Sequence, residues 1–127
     1  MKVNSGFFKD LIVWQKAMEL VKAVYALAKA FPADERYALT DQLRRAVVSI
    51  PSNIAEGNGR ASNADYAHFL AIARGSLYET MTQLQVAVEL GYIQSLSPEL
   101  ELLQVRQAKL GRTNSGRSYI VKKSTYD

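Results

Sequence analysis

A polar stripe runs through the middle of this sequence, where Gln42, Arg45, Ser49, Asn53 and Glu56 recur at spacings of three, four, four and three residues. That rhythm places them on one helical face, beside an apolar one. Further along, Gly75, Ser76 and Glu79 set two small side chains and a carboxylate one turn apart, small enough for another helix to approach closely. Hydroxyls, amides and an arginine–glutamate couple are suited to holding helices in register rather than to breaking bonds. Arg45 and Glu79 are therefore expected to form a partly buried, hydrogen-bonded ion pair. Gln42, Arg45, Ser49, Asn53, Glu56, Ser76 and Glu79 together read as a structural network.

Covalent and metal chemistry have little to work with. The chain has no cysteine, which excludes thiolate nucleophiles, disulfides and cysteine-built zinc sites. His68 is the one histidine, so it lacks a second imidazole for a metal pair and an evident triad partner. Gly57-Asn58-Gly59 follows a helix and lacks the later glycine and lysine of a phosphate loop. The carboxylate pairs Asp34/Glu35 and Glu99/Glu101 stand near helix starts, where the helix dipole accounts for them. No catalytic, cofactor-binding or metal-ligating residue is expected, and the chain reads as a non-enzyme.

The cations are more suggestive. Arg44, Arg60 and Arg74 lie within the helical region, while Arg112, Arg117, Lys122 and Lys123 crowd the C-terminal end. The end from Arg106 onward carries a net +5 out of the total of +4, which leaves residues 1–105 one unit negative. Fixed cations of this kind contact phosphates in nucleic-acid binders, although each could equally be an ordinary solvated residue. Aromatic residues do not interleave with them as a single-strand stacking platform requires, so the binding expected is independent of base sequence.

The elements that carry these residues are helices. Leu11, Trp14, Met18, Val21, Tyr25 and Ala28 form one apolar stripe of a helix from about Asp10 to Phe31, with Val13, Ala17, Leu20, Val24, Leu27 and Phe31 as a second stripe beside it. The double stripe is wider than one helix–helix seam demands, so this helix is expected to have more than one neighbour. Phe31-Pro32 stops it. A second helix begins at Leu39 or Thr40 and ends at Gly57, read as a left-handed stop. Pro51 falls within it, predicting a kink near Ser49, with a break into two shorter helices as the alternative. A third helix from about Ala64 to Glu89 follows a cap at Ser62 or Asn63 and stops at Gly91. The fourth starts at Ser97-Pro98-Glu99 and runs to about Leu110, short beside the third. Beyond it Gly111 to Gly116 is turn-rich, and Ser118 to Val121 reads as a short extended piece.

With 127 residues, 48% of them hydrophobic, the chain can bury one core. The expected fold is all-α, an antiparallel up-down-up-down four-helix bundle over 1–110 with a basic tail over 111–127. No stretch approaches the roughly 20 apolar residues of a membrane span, and the first six residues show no apolar run ending in a cleavage site. A cytoplasmic protein without membrane contact is the expectation.

Several of these segments, taken in order, resemble a known family. They are Phe8-Lys9-Asp10-Leu11 followed by Val13 to Ala17, Leu39-Thr40 with Gln42 to Ala46, the run from Ser49 to Gly57, and Gly75-Ser76-Leu77 with Glu79. Over Phe8 to Ile93 the chain is similar to the four-helix-bundle proteins encoded within intervening sequences of bacterial 23S ribosomal RNA genes. Related to that family are the accessory variability proteins of diversity-generating retroelements, which look like basic rings that bind nucleic acid and a reverse transcriptase. The resemblance implies a homo-oligomer, a homopentamer in the wider group, and would explain the over-wide face of the first helix. Members tend to continue the fourth helix, whereas this chain turns at Gly111. A bundle-type ribonuclease, which shares the fold, needs its arginine closer to the histidine than Arg60, eight residues before His68.

Three functions are weighed on this basis. One is a nucleic-acid-binding module acting through Arg44, Arg60, Arg74 and the tail, with RNA or DNA as ligand. Another is a scaffold for a partner enzyme such as a reverse transcriptase, without direct nucleic-acid contact. The third is a protein retained by a mobile insert without a selected role.

Overall fold

The computed structural model describes residues 7–108. After a single 3-10 turn at Phe8–Asp10, helix α1 spans Ile12–Ala28. It is shorter at both ends than its apolar repeat suggests. Leu11 is extended and caps the start, and after Ala28 the amides of Lys29, Ala30 and Phe31 switch to tight i−3 bonds as the chain approaches Pro32. Of its two stripes the second is the inner one: Val13, Ala17, Leu20, Val24 and Phe31 are buried, whereas Met18 and Tyr25 of the first are exposed.

Helix α2 spans Leu39–Asn58 and runs through Pro51 as one element, so it does not divide into two. Proline has no N–H to offer the Val47 carbonyl. Side chains in the same turn add donors to neighbouring carbonyls, Ser52 Oγ to Val48 O and Asn53 Nδ2 to Ser49 O, both at 2.8 Å. Pro51 is itself buried. Helix α3 spans Asn63–Glu89, its 27 residues measuring about 40 Å at 1.5 Å each. Ser62 caps it, accepting the Asp65 N–H at 3.0 Å. At the other end Gly91 is left-handed at φ 80°, with its N–H on Val88 O and that of Tyr92 on Ala87 O. This is the two-bond closure that glycine after a helix permits. Helix α4 spans Pro98–Ala108, capped by Ser97 Oγ on the Leu100 N–H at 3.1 Å.

Among the described residues there are four α-helices and no strand. Helix α2 lies between α1 and α3, and α4 packs on α1 and α3, closing a circle of neighbours. The core they share includes Leu20, Val24, Leu43, Ile50, Tyr66, Leu77 and Leu84, all fully buried. Each such side chain contributes on the order of 1.5–3 kcal/mol through removal from water. No described helix is long and apolar enough to cross a membrane. The turn-rich segment after Leu110, the extended piece and the basic tail lie outside the described residues.

One clasp ties two connections together. Glu35 in the α1–α2 connection accepts the Tyr92 hydroxyl at 2.7 Å and, with its other oxygen, the Leu39 N–H at 3.1 Å. Phe31 packs on the Tyr92 ring with centroids 5.6 Å apart. The Tyr92 hydroxyl and then the Leu39 amide hold the Glu35 carboxyl below its ordinary 4.5, against a smaller desolvation effect. The same bond to Glu35, then burial, raises the Tyr92 hydroxyl above 10.0.

The two shifts act at opposite ends of the pH scale. The Glu35 contribution to stability is fully present above pH 4.5 and is lost as pH falls through its lower folded value. That of Tyr92 is fully present below pH 10.0 and is lost as pH rises through its higher folded value. Thermal melts of Tyr92→Phe against pH should show flatter acid and alkaline limbs than the parent; superimposable profiles would mean that the clasp does not contribute.

Candidate functional site

The seam between α2 and α3 is polar, as the stripe predicts, but its members differ from those expected. Ser49 Oγ meets Ser76 Oγ at 2.8 Å, and Asn53 Nδ2 donates to Ser49 Oγ at 2.9 Å. Further along, Gln83 Nε2 donates to Gln42 Oε1 at 3.4 Å and to Glu79 Oε2 at 3.3 Å. Fully buried Thr80 is satisfied by its own helix, through Ser76 O at 2.8 Å. Gln42, Ser49, Asn53, Ser76 and Glu79 thus come together. Gln83 and Thr80 were not anticipated, although Ser76, Thr80 and Gln83 repeat at four and three residues and carry the stripe onward.

The expected Arg45–Glu79 ion pair does not form. Arg45 Nε instead reaches Asp41 Oδ2 on its own helix at 2.9 Å, with 79% of its side chain exposed. A partner one turn away in solvent avoids the cost of removing two charges from water. Glu56 also stays outside the network, paired with Arg60 at 2.8 Å on the surface.

Two glycines exchange the roles the sequence suggests. Gly57 is not a left-handed stop: α2 continues past it, and Gly91 is the positive-φ glycine among the described residues. What Gly57 provides is proximity, since a Cβ there would lie 2.8 Å from Phe69 Cβ and 3.0 Å from Tyr66 Cδ1. At Gly75, where close helix approach was expected, an added Cβ would meet no atom within 4 Å.

The three helical-region arginines are dispersed. Arg44 is half-buried, with its guanidinium 5.3 Å from the Tyr25 ring and its Nε without an acceptor among the described residues. Arg60 lies over Phe69 at 4.7 Å and is matched by Glu56. Arg74 is half-buried on α3. His68 is exposed and edge-on to Phe69. Arg112, Arg117, Lys122 and Lys123 lie outside the described residues. Near Arg44, the sequence reading passed over Lys22 on α1 and Lys29 at its C-cap, which flank Tyr25 at three and four residues and line one hollow with it.

That hollow, of about 390 Å³, belongs to a groove along the outer side of α1 and α2. A second hollow of about 340 Å³ adjoins it and shares Val21 and Val48 as walls. Trp14, Met18, Pro51 and Ala55 line the second. The groove is therefore the outer stripe of α1 continued by the outward flank of α2. Among the described residues no group of three or more His, Asp or Glu side chains gathers in the manner of a metal site.

Comparison with known proteins places these features in a family setting. The family model described as 23S rRNA-intervening sequence protein matches residues 9–110. No curated protein matches the chain.

The two glycines give opposite expectations on substitution. Gly57→Ala must move α3 away and should destabilise by about 1–3 kcal/mol. Gly75→Ala, in open space within a helix, should stabilise by about 0.5–1 kcal/mol. Urea titrations of both variants check the pair; equal effects would remove the special role of the Gly57 contact.

Proposed function

We propose a function for a chain that belongs to the 23S rRNA-intervening sequence protein family: a non-catalytic, self-assembling helical module, cytoplasmic, that binds RNA or DNA through phosphate contacts. The observation that carries this reading is the open α1–α2 groove, apolar along its floor and edged by Lys22 and Lys29. A side chain such as Tyr25, with 38% of its surface in water, belongs to a face that association would cover. Assembly as a homopentamer, as in the wider group resembled, would repeat weak phosphate contacts around a ring and strengthen them by avidity.

Among the sequence-nominated cations, Arg44 supports the reading best, because its guanidinium lies over Tyr25 and its Nε meets no acceptor among the described residues. Arg60, already matched by Glu56, supports it least. Arg74 and the basic end complete the set. The module geometry we infer is the antiparallel up-down-up-down arrangement with a kink near Pro51. The cross-helix pairs Gln42 with Gln83, Ser49 with Ser76 and Gly57 with Tyr66 favour it, since partners descend α3 as they ascend α2. A scaffold for a partner enzyme such as a reverse transcriptase is the second reading, favoured by the same groove.

Gel shifts of the full chain with short duplex DNA and an RNA hairpin over a salt series separate the two. Phosphate binding predicts affinity falling linearly on a log–log plot. Changing Arg112, Arg117, Lys122 and Lys123 together to Gln should flatten the duplex slope by about 0.9 per lost contact. Absence of a shift at low salt points to the scaffold.

A further inference from the structure

We infer that the hollow around Tyr25 binds a nucleoside phosphate, and that this ligand and a neighbouring copy of the chain exclude each other there. The exclusion rests on the self-assembly reading above, in which association covers Tyr25; the binding site stands on the hollow itself. Val21, Tyr25, Ala26 and Val48 line it with apolar surface, and the exposed Lys22 and Lys29 complete the lining. Lys22, Tyr25 and Lys29 follow at three and four residues, which sets them on one side of α1 and its C-cap. Arg44 reaches the same ring from α2, with its guanidinium 5.3 Å from the ring centroid.

The charge there is uncompensated. The lining includes no carboxylate, and none of the ion pairs among the described residues includes Lys22, Lys29 or Arg44. The carboxylates of Glu19, Asp41 and Glu56 go to Lys16, Arg45 and Arg60 instead. Clustered cations favour a multiply charged anion, and the ring with its apolar surroundings favours a planar, weakly polar body attached to it. A nucleoside phosphate combines the two. At about 390 Å³ the hollow falls within the range of small-molecule sites. A strand of nucleic acid fits less well, because a strand needs cations that track its backbone. The adjoining hollow, lined from Trp14 to Ala55, has no charged residue, so charge is concentrated at one place, as a single free nucleotide requires. Tyr25 faces either the ligand or another copy, and saturating ligand draws the assembly toward separate copies by mass action.

Isothermal titration calorimetry of the full chain at low salt, with ADP, adenosine and pyrophosphate as probes, tests the site. ADP is expected to bind more tightly than either fragment. Lys22→Gln combined with Lys29→Gln should weaken ADP by about tenfold or more, and Tyr25→Ala by about fivefold or more, with parental helical circular dichroism. Tyr25→Leu replaces Tyr25→Ala if that variant loses its helical signal. Absence of ADP binding, or unchanged affinity in the variants, overturns the site while leaving the gel-shift reading intact. A short adenylate strand that loses more affinity than ADP in the lysine variant overturns the choice of a free nucleotide. Sedimentation velocity tests the exclusion: ADP should slow the parent and leave the lysine variant unchanged. Bound ADP with unaltered sedimentation of an assembled parent overturns the exclusion. A parent that is monomeric without ADP overturns self-assembly and the exclusion with it, and the calorimetry still decides the site.

Discussion

At Gly57 the α2 backbone passes the Tyr66 and Phe69 side chains of α3 with no space for a methyl group. This close approach constrains much else in the molecule. With α2 held so near α3 at one end, Ser49 comes within hydrogen-bonding distance of Ser76, and Gln42 within reach of Gln83. The apolar flank of α2, Leu43, Val47, Ile50 and Ile54, is then committed to the core. What is left beside α1 is the groove wall, with Val48 exposed and Pro51 and Ala55 beneath it. The position of the candidate interaction surface thus follows from a contact made on the far side of the same helix.

The hydrogen bonds that cross between α2 and α3 join neutral groups, Ser49 to Ser76 and Gln42 to Gln83, and energetics favours that choice. A buried ion pair must recover a desolvation cost of several kcal/mol per charge. Hydroxyl and amide pairs ask much less and still penalise slippage, because a shifted register leaves buried donors unpaired. Arg45 accordingly keeps its charge in water with Asp41. Gln83 adds a longer, weaker contact to both Gln42 and Glu79, enough to continue the register without isolating a charge. The end of the bundle is closed in another way, by Glu35 gripping Tyr92 across two connections.

The two stripes of α1 have different fates, and this links the fold to the function proposed for it. One stripe supplies Ala17, Leu20 and Val24 to the core. The other, with Met18 and Tyr25, forms the groove, and a cationic cluster of Lys22, Lys29 and Arg44 gathers about Tyr25. An apolar surface edged by like charge attracts an apolar surface of opposite charge and disfavours indiscriminate aggregation. Such a surface is suited to specific adhesion.

The sequence by itself determined the number and kind of elements, most of their ends and the apolar width of α1. Its signals for these are local. Ser62 and Ser97 cap amides three residues away, Gly91 closes a helix within two residues, and apolar periodicity repeats every three or four. The tertiary structure alone decided which stripe of α1 goes inside, that Gly57 serves proximity rather than a turn, that Arg45 pairs within its own helix, and that Glu35 meets Tyr92, 57 residues away. Those outcomes depend on the rotation and register of whole helices. Rotation and register are set by the packing of many side chains at once, and no short stretch of sequence contains that information.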